Sequence, residues 1–183
     1  IVLPMLGEHN VSNALAAISV STLLEISHER IFISLASFKG IKRRFDIHIS
    51  NKNIVYVDDY AHHPEEIKST IAGVLKSFPN RKLKVIFQPH LYSRTKDFAN
   101  EFAESLSISD ELILLDIFPA REEPINGVDS KMLLDLCSNR SKSILKKEEV
   151  ISYLRENKND LVLTLGAGDI SDLVKPIINT LSS

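Results

Sequence analysis

Cysteine is scarce in this sequence, with Cys137 the only one among 183 residues. A single cysteine excludes an internal disulfide bond and a zinc site built on several cysteines, and it fits a reducing compartment, so we expect a cytoplasmic protein. No apolar run approaches the roughly 18 residues that a membrane span requires, which disfavours a membrane partner. A basic excess is also missing, because 22 Lys and Arg residues accompany 24 Asp and Glu residues. The net charge of -2 therefore disfavours nucleic acid as a partner.

The opening segment, IVLPMLGEHN, has neither an initiating Met nor the basic segment of a signal peptide. We therefore interpret the chain as a fragment that begins inside a longer protein. Its 183 residues, 44% of them hydrophobic, are enough for one domain of ordinary size and a piece of another.

Two helices are predicted at the start of the chain. Apolar residues recur at near-helical spacing over residues 10–26, and a second helical stretch covers about residues 28–38. The pattern then changes, because RFDIHI and NIVYVDDYA flank the turn-like tripeptide at residues 51–53. This arrangement predicts a short β-hairpin. Gly40, which separates the two patterns, is the expected domain boundary.

Strands and helices alternate through the rest of the chain. Helices are predicted at residues 64–77, 95–107, 129–137, 148–157 and 169–181, and strands at LKVIFQP, ELILLDIFP, residues 143–145 and DLVLTLG. Nearly continuous apolar strands separated by helices are typical of a mostly parallel sheet covered on both faces. The sequence therefore predicts an α/β domain over residues 41–183, preceded by a helical segment over residues 1–40.

Polar clusters follow four of the predicted strands. DDYAHHP follows the first, QPHLYSRT the next, FPAREEP the third and GAGD the fourth. In an open α/β sheet the ligand crevice lies beyond the carboxyl ends of the strands. We therefore expect one edge of the sheet to collect the functional side chains.

Each cluster also has a purely structural explanation. An aspartate of DDYAHHP can accept backbone N–H bonds near a helix start, whereas a functional carboxylate would bind a sugar hydroxyl and a histidine would bind a polar substrate. Thr95 can cap a helix, yet Arg94 offers a planar cation suited to a carboxylate. GAGD has Ser171 where a dinucleotide-binding motif has a third glycine, so we favour a tight turn. Arg43 and Arg44 are expected to be solvated charges.

The residues considered so far are compatible with two classes of protein. A metal-dependent hydrolase could use Asp58, Asp59, His62 and His63 as ligands, although adjacent histidines point apart on most backbones. Metal analysis of the purified chain would distinguish it. A non-catalytic module that binds a nucleotide or a partner is the second alternative.

Taken together, the motifs resemble the Mur ligase family of peptidoglycan synthesis. The matching segments cover almost the whole chain and are GEHNVSNALAA, GIKRRFD, DDYAHHPEEI, FQPHLYSRTKDF, DIFPAREEPINGVDS and TLGAGDI. In that family an N-terminal domain binds the UDP-sugar, a central domain carries the ATP phosphate loop, and a C-terminal Rossmann-like domain closes over both. The resemblance implies that residues 1–40 end the central domain and that residues 41–183 form the C-terminal domain.

The resemblance also implies a reaction, the ATP-dependent formation of an amide bond. DDYAHHP with QPHxYSRT favours the branch that joins L-alanine to UDP-N-acetylmuramate, in which the muramoyl carboxylate takes the γ-phosphoryl group and the amine of alanine attacks the acyl phosphate. A relative that attaches a whole tripeptide to the same UDP-sugar is the alternative within the family. The sequence contains no G-x-x-x-x-G-K-[ST], so we expect the phosphate loop and the Mg²⁺ ligands outside this chain, and no activity from the chain alone.

The resemblance assigns a nucleotide site to five residues. Asn10 and Asn13 are expected to contact adenine, because an amide can both donate to and accept from the edge of the base. Arg44 is expected to reach the ATP phosphates, Asp59 to accept from a ribose hydroxyl, and Tyr60 to lie beside the nucleotide or the new amide.

A second group of residues is assigned to the other substrates. The resemblance implies that His62, His90 and Arg94 receive alanine and the muramoyl group, and that Arg44, His62 and Arg94 take part in catalysis. Relatives often carry an arginine directly after the QPH histidine, whereas this chain has Leu91 there. Arg94 is then expected to carry more of the carboxylate recognition.

Overall fold

The computed structural model describes residue 3 and residues 8–182, so most of the opening segment IVLPMLG lies outside the described residues. The described helices are α1 (Glu8–Leu23), α2 (His28–Ser37), α3 (Pro64–Ser77), α4 (Tyr92–Asp97), α5 (Ala99–Leu106), α6 (Ser130–Leu136), α7 (Val150–Glu156) and α8 (Val174–Leu181). The strands are β1 (Asp46–Ser50), β2 (Val55–Asp59), β3 (Leu83–Phe87), β4 (Glu111–Leu114), β5 (Ser141–Ile144) and β6 (Leu161–Leu165). Short 3-10 helices cover Lys147–Glu149 and Asp169–Leu173.

The six strands form one sheet in the order β1-β2-β6-β3-β4-β5. All neighbouring pairs are parallel except β1 with β2, which form the predicted antiparallel hairpin. The central strands β2, β3 and β6 are buried along their whole length, as their continuous apolar sequences predict. The predicted α/β fold with a mostly parallel sheet is confirmed.

Side chains of the central strands alternate between two apolar layers, as the period of a strand requires. Val85 and Leu163 face the layer that contains α3, α5 and α6. Ile86 and Val162 face the opposite layer, which contains α7 and α8. Fully burying side chains of this size stabilises the fold by about 1.5–3 kcal/mol each. The sheet is therefore covered on both faces, and its polar chemistry is left to the strand ends.

The prediction of a single helix at residues 95–107 is wrong, because the segment forms two helices. Phe98 separates α4 from α5 with φ -115° and ψ 25°, and its ring packs edge-on against His63 at 4.9 Å between centroids. Thr95 is not the helix cap. α4 begins at Tyr92, and the Thr95 hydroxyl donates back to the Leu91 carbonyl at 2.8 Å.

The helical pair α1–α2 buries little apolar surface. Ala14 and Ile31 are its buried apolar side chains among the described residues, whereas larger ones are exposed, including Leu15, Leu23 and Ile33. No helix within residues 8–182 is long and apolar enough to cross a membrane.

The linker between α2 and β1 bends through three residues with positive φ: Gly40, Arg43 and Phe45. Phe45 is buried, and its ring packs against α3 at Gly73, where an added Cβ would lie 3.1 Å from the ring. The linker is therefore fixed against the domain, and it delivers Arg43 and Arg44 to the carboxyl edge of the sheet.

Candidate active site

The carboxyl ends of β2, β6, β3 and β4 lie side by side, because these strands are consecutive in the sheet. DDYAHHP, GAGD, QPHLYSRT and FPAREEP leave the sheet at these ends in that spatial order. The expectation that one edge gathers the polar clusters is confirmed.

A cavity of about 670 Å³ opens at this edge, a volume typical of small-molecule sites. Its lining combines the start of the chain, the linker and α3, and includes Asn10, Asn13, Phe38, Ile41, Arg44, Asp59, Glu65, Glu66, Ser69 and Thr70. Four of the five residues assigned to the nucleotide thus share one cavity. Tyr60 does not line it but lies next to it.

Asp59 sits at the end of β2 and is buried. Its Oδ2 accepts from the Phe45 backbone N–H at 2.6 Å and its Oδ1 from the Ala61 N–H at 2.7 Å. Burial raises the pKa of this carboxyl, and the two N–H donors and the Arg44 charge partly oppose the increase. Asp59 therefore fixes the linker to the sheet edge in addition to facing the cavity.

Arg43 is not the solvated charge that the sequence favours. Its Nε donates to the fully buried Asp58 carboxylate at 2.8 Å, and its Nη2 donates to the Gly166 carbonyl at 2.7 Å. The other oxygen of Asp58 accepts from the Thr164 hydroxyl at 2.6 Å. One clue was present in the sequence, since a carboxylate at the end of an apolar strand requires a cation or hydrogen bonds.

Arg44, in contrast, is exposed and lines the cavity. Its guanidinium carbon lies 5.8 Å from the centre of the Tyr60 ring, and that of Arg43 lies 5.4 Å away. Both distances suit a cation–π contact. Tyr60 is thereby held between the cavity and the histidines that follow it.

His62, His90 and Arg94 come together, as the sequence predicts. The ring of His62 lies 5.2 Å from that of Tyr60 and 6.0 Å from that of His90. Arg94 Nη1 lies 3.5 Å from His90 Nδ1. A continuous row of side chains therefore runs from Tyr60 to Arg94 beside the cavity.

His90 has a lowered pKa. Burial is the largest cause, followed by the charges of Arg94 and His62, while Glu122 acts in the opposite direction. The decrease favours the neutral imidazole, whose Nδ1 can accept from the Arg94 guanidinium when the ring proton is on Nε2. Phe118 stacks on the other side of the ring at 5.6 Å.

Leu91 connects His90 to α4 in a backbone conformation that L-residues rarely adopt, with φ 72° and ψ 133°. Its N–H donates to the Phe118 carbonyl at 2.9 Å, and its carbonyl accepts from the Thr95 N–H at 3.1 Å. Such a conformation costs on the order of 1–3 kcal/mol and occurs preferentially at functional sites. It sets the direction in which α4 carries Arg94.

The GAGD segment bends at Gly166, which has a φ of 141°, and leads into the 3-10 helix at Asp169–Leu173, in agreement with its interpretation as a tight turn. Gln88 Oε1 accepts from the Ile170 N–H at 2.8 Å, and Gln88 Nε2 donates to Asp169 at 2.7 Å. A Cβ on Gly168 would lie 2.5 Å from Gln88 Oε1 and 2.7 Å from the Phe118 side chain. Gly168 therefore packs against both Gln88 and the FPAREEP segment.

The metal-hydrolase alternative gains no support. The part of the chain that the structure describes contains no group of three or more His, Cys, Asp or Glu side chains that could hold a metal ion. Asp58 is engaged by Arg43, and the rings of His62 and His63 diverge, towards His90 and Phe98 respectively.

Sequence comparison points to one family. The family model described as "Mur ligase, glutamate ligase domain" matches residues 43–168. The UDP-N-acetylmuramate–L-alanine ligase of Flavobacterium psychrophilum is 49% identical to this chain over 168 residues. The match covers 92% of this chain but 38% of the relative.

Solved structures agree with the sequence comparison. A UDP-N-acetylmuramate-alanine ligase from Thermotoga maritima superposes with a TM-score of 0.80 at 28% identity, over 98% of this chain and 39% of the other. A murein peptide ligase from Psychrobacter arcticus gives a TM-score of 0.67 at 24% identity, over 100% of this chain and 39% of the other, which shows the same fold. The chain spans about two fifths of the length of these relatives.

Proposed function

Since this chain belongs to the Mur ligase family, we propose that it is the C-terminal part of an ATP-dependent ligase that joins L-alanine to UDP-N-acetylmuramate in peptidoglycan synthesis. The observation that carries the proposal is the joining of two sites at one sheet edge. The cavity with Asn10 and Asp59 lies on one side of Tyr60, and the row of histidines ending at Arg94 lies on the other.

The cavity suits the nucleotide. Asn10 and Asn13 offer amides for the edge of adenine, and the fixed Asp59 carboxylate offers an acceptor for a ribose hydroxyl. Arg44, exposed at the cavity wall, can neutralise charge on the phosphates. Tyr60 then lies where the reacting ends of the substrates meet.

The row of side chains suits the amino acid. Arg94 can bind the alanine carboxylate through two parallel hydrogen bonds, while His90 Nδ1 lies 3.5 Å from its guanidinium. His62 faces both Tyr60 and His90, so it borders the path between amine and acyl phosphate. The absence of an arginine at Leu91 concentrates carboxylate recognition on Arg94.

The proposed chemistry requires no covalent bond to the enzyme. The acyl phosphate forms when the muramoyl carboxylate takes the γ-phosphoryl group, and attack by the alanine amine releases phosphate. The enzyme contributes positioning and charge neutralisation, for which Arg44, His62 and Arg94 are suited. Because the sequence contains no phosphate loop, we propose that the Mg²⁺ ligands lie largely in the remaining domains, and we derive no step from them.

The proposal includes a division of the chain and a location. Residues 1–40 would end the central ATP-binding domain, and residues 41–183 would form the C-terminal domain. The N-terminal and central domains of the same protein would then be its partners. A cytoplasmic location is proposed because the reaction consumes ATP and the single cysteine fits a reducing compartment.

The test is an assay of the longer protein that contains this chain. UDP-N-acetylmuramate, ATP and Mg²⁺ are supplied with L-alanine, glycine, L-serine or a peptidoglycan tripeptide, and phosphate release is followed. Release with L-alanine that depends on the UDP-sugar is expected. Release with the tripeptide but not with L-alanine would instead identify the relative that attaches a whole tripeptide to the UDP-sugar. Failure to release phosphate with any of these amines would overturn the proposal.

A further inference from the structure

Glu122, from the FPAREEP segment, reaches across to the start of α4. One carboxylate oxygen accepts from the Ser93 backbone N–H at 2.9 Å, and the other accepts from the Ser93 hydroxyl. The Ser93 hydroxyl and backbone N–H are the main causes of the lowered pKa of Glu122, and the Tyr92 backbone N–H and the Arg94 charge act in the same direction. These donors belong to the first turn of a helix whose N-cap residue, Leu91, makes no side-chain cap.

The segment that carries Glu122 is tied to the same stretch by further contacts. The Phe118 N–H donates to the Pro89 carbonyl at 2.8 Å, and the Phe118 carbonyl accepts from Leu91 at 2.9 Å. Glu122 itself donates its N–H to Pro119 at 3.0 Å, which closes a turn. Residues 118–122 therefore form a strap around His90 and the start of α4.

The charge of Glu122 also acts on the row of side chains. Arg94 attracts it, and Glu122 in turn opposes the decrease in the pKa of His90. The charged or titratable groups that act on the pKa of His90 are thus Arg94, His62 and Glu122. The negative charge of Glu122 therefore partly balances the charge of Arg94 and the positive charge that His90 carries when it is protonated.

We propose that Glu122 is a positioning residue of the amino-acid site, holding the first turn of α4 so that His90 and Arg94 keep their relative places. It does not contact the amino acid. This inference rests on the proposed function, because the assignment of Arg94 to the alanine carboxylate belongs to it. Glu122 is separated by 29 residues from Ser93, so neither local spacing nor helix periodicity predicts the contact.

The kinetic test replaces Glu122 with Gln in the longer protein, with Glu123→Gln as the matched control, since Glu123 is an exposed neighbour. Glu122→Gln should raise the KM for alanine about tenfold or more, because charge-assisted bonds are lost, while the KM for ATP stays within about twofold. Ser93→Ala should cost less, and the double variant should cost less than the sum of both changes. A wild-type KM for alanine, an equal rise in both KM values, or an equal effect of the control would overturn the inference.

A second readout needs no activity. In NMR titrations of this chain, Glu122→Gln should lower the pKa of His90 further, whereas Glu123→Gln should leave it unchanged. If the wild-type enzyme fails to use alanine, the proposed function fails, but the His90 titration still decides whether Glu122 governs this site. An unaltered His90 titration would overturn the inference even in an active enzyme.

Discussion

At the scale of single residues, two arginines adjacent in the sequence meet different surroundings. Arg43 turns inward to the buried Asp58, whereas Arg44 stays exposed at the cavity. The Asp58 carboxylate that pairs with Arg43 also accepts from the Thr164 hydroxyl, whose oxygen lies 3.0 Å from the Tyr56 hydroxyl oxygen. The two side chains should therefore separate stability from function when each is replaced.

Replacing Arg43 with Met should lower the free energy of unfolding by about 3 kcal/mol, because the buried Asp58 loses its cation. Arg44→Met is the matched control and should change it by less than about 0.5 kcal/mol. Urea unfolding of this chain, followed by circular dichroism, measures both values. Similar small effects of the two changes would show that the Arg43–Asp58 pair contributes little.

Arg94→Lys tests carboxylate recognition. Lys keeps the charge but loses the planar fork, so kcat/KM for L-alanine in the longer protein should fall about tenfold to several hundredfold, or roughly 1.4–3.5 kcal/mol. The KM for ATP should move much less. If Arg94 had no role in binding, the steady-state kinetics for both substrates would stay near wild type, and that result would contradict the assignment.

The sequence predicts some of these residues better than others, for a physical reason. His62, His90 and Arg94 follow the apolar strands β2 and β3, and parallel strands deliver their ends to one edge. Arg43 and Glu122 act through contacts to residues 15 and 29 positions away, which depend on how the linker and the strap fold. Such pairings leave no periodic pattern in the sequence.

At the scale of structural elements, the turns were harder to predict from the sequence than the central strands. The central strands β2, β3 and β6 were predictable because they are buried along their whole length and their sequences are largely apolar. The break at Phe98 was not, because it accompanies packing against His63, a tertiary contact. The GAGD turn lies between these cases, since its glycines were recognised but its contact with Gln88 was not.

Gly168→Ala tests that turn. The new Cβ would lie 2.5 Å from Gln88 and 2.7 Å from Phe118, so unfolding free energy should fall by about 1–3 kcal/mol and the KM for alanine in the longer protein should rise. Gly127→Ala is the control. Its φ of 78° is strained for alanine, but nothing lies within 4 Å of the added Cβ, so it should affect stability alone. A normal KM for alanine in Gly168→Ala would show that the turn does not support the site.

At the scale of the whole molecule, the two parts of the chain differ in how much they bury. The sheet and its helices contain both apolar layers, whereas α1–α2 leaves Leu15, Leu23 and Ile33 exposed. This difference supports the proposed boundary at Gly40. The cavity crosses that boundary, because Asn10 lies before it and Asp59 after it.

A nucleotide bound by this chain alone should therefore be held by its base and ribose more than by its phosphates. Asn10, Asn13 and Asp59 line the cavity, but the sequence has no phosphate loop. We expect ATP to bind with a Kd weaker than about 100 µM, since each missing charged contact costs about 1.5–3 kcal/mol, or about tenfold or more. Adenosine should bind within about tenfold of ATP.

Calorimetry on the chain with ATP and with adenosine measures this difference, and two variants identify its source. Arg44→Met should remove most of the preference for ATP, because Arg44 is the cation that lines the cavity among the described residues. Arg140→Met is the matched control: Arg140 is exposed and directly precedes β5, at the amino edge of the sheet, so the preference should remain. Micromolar binding of ATP, or any turnover by the chain alone, would mean that phosphate recognition does not depend on residues outside this chain.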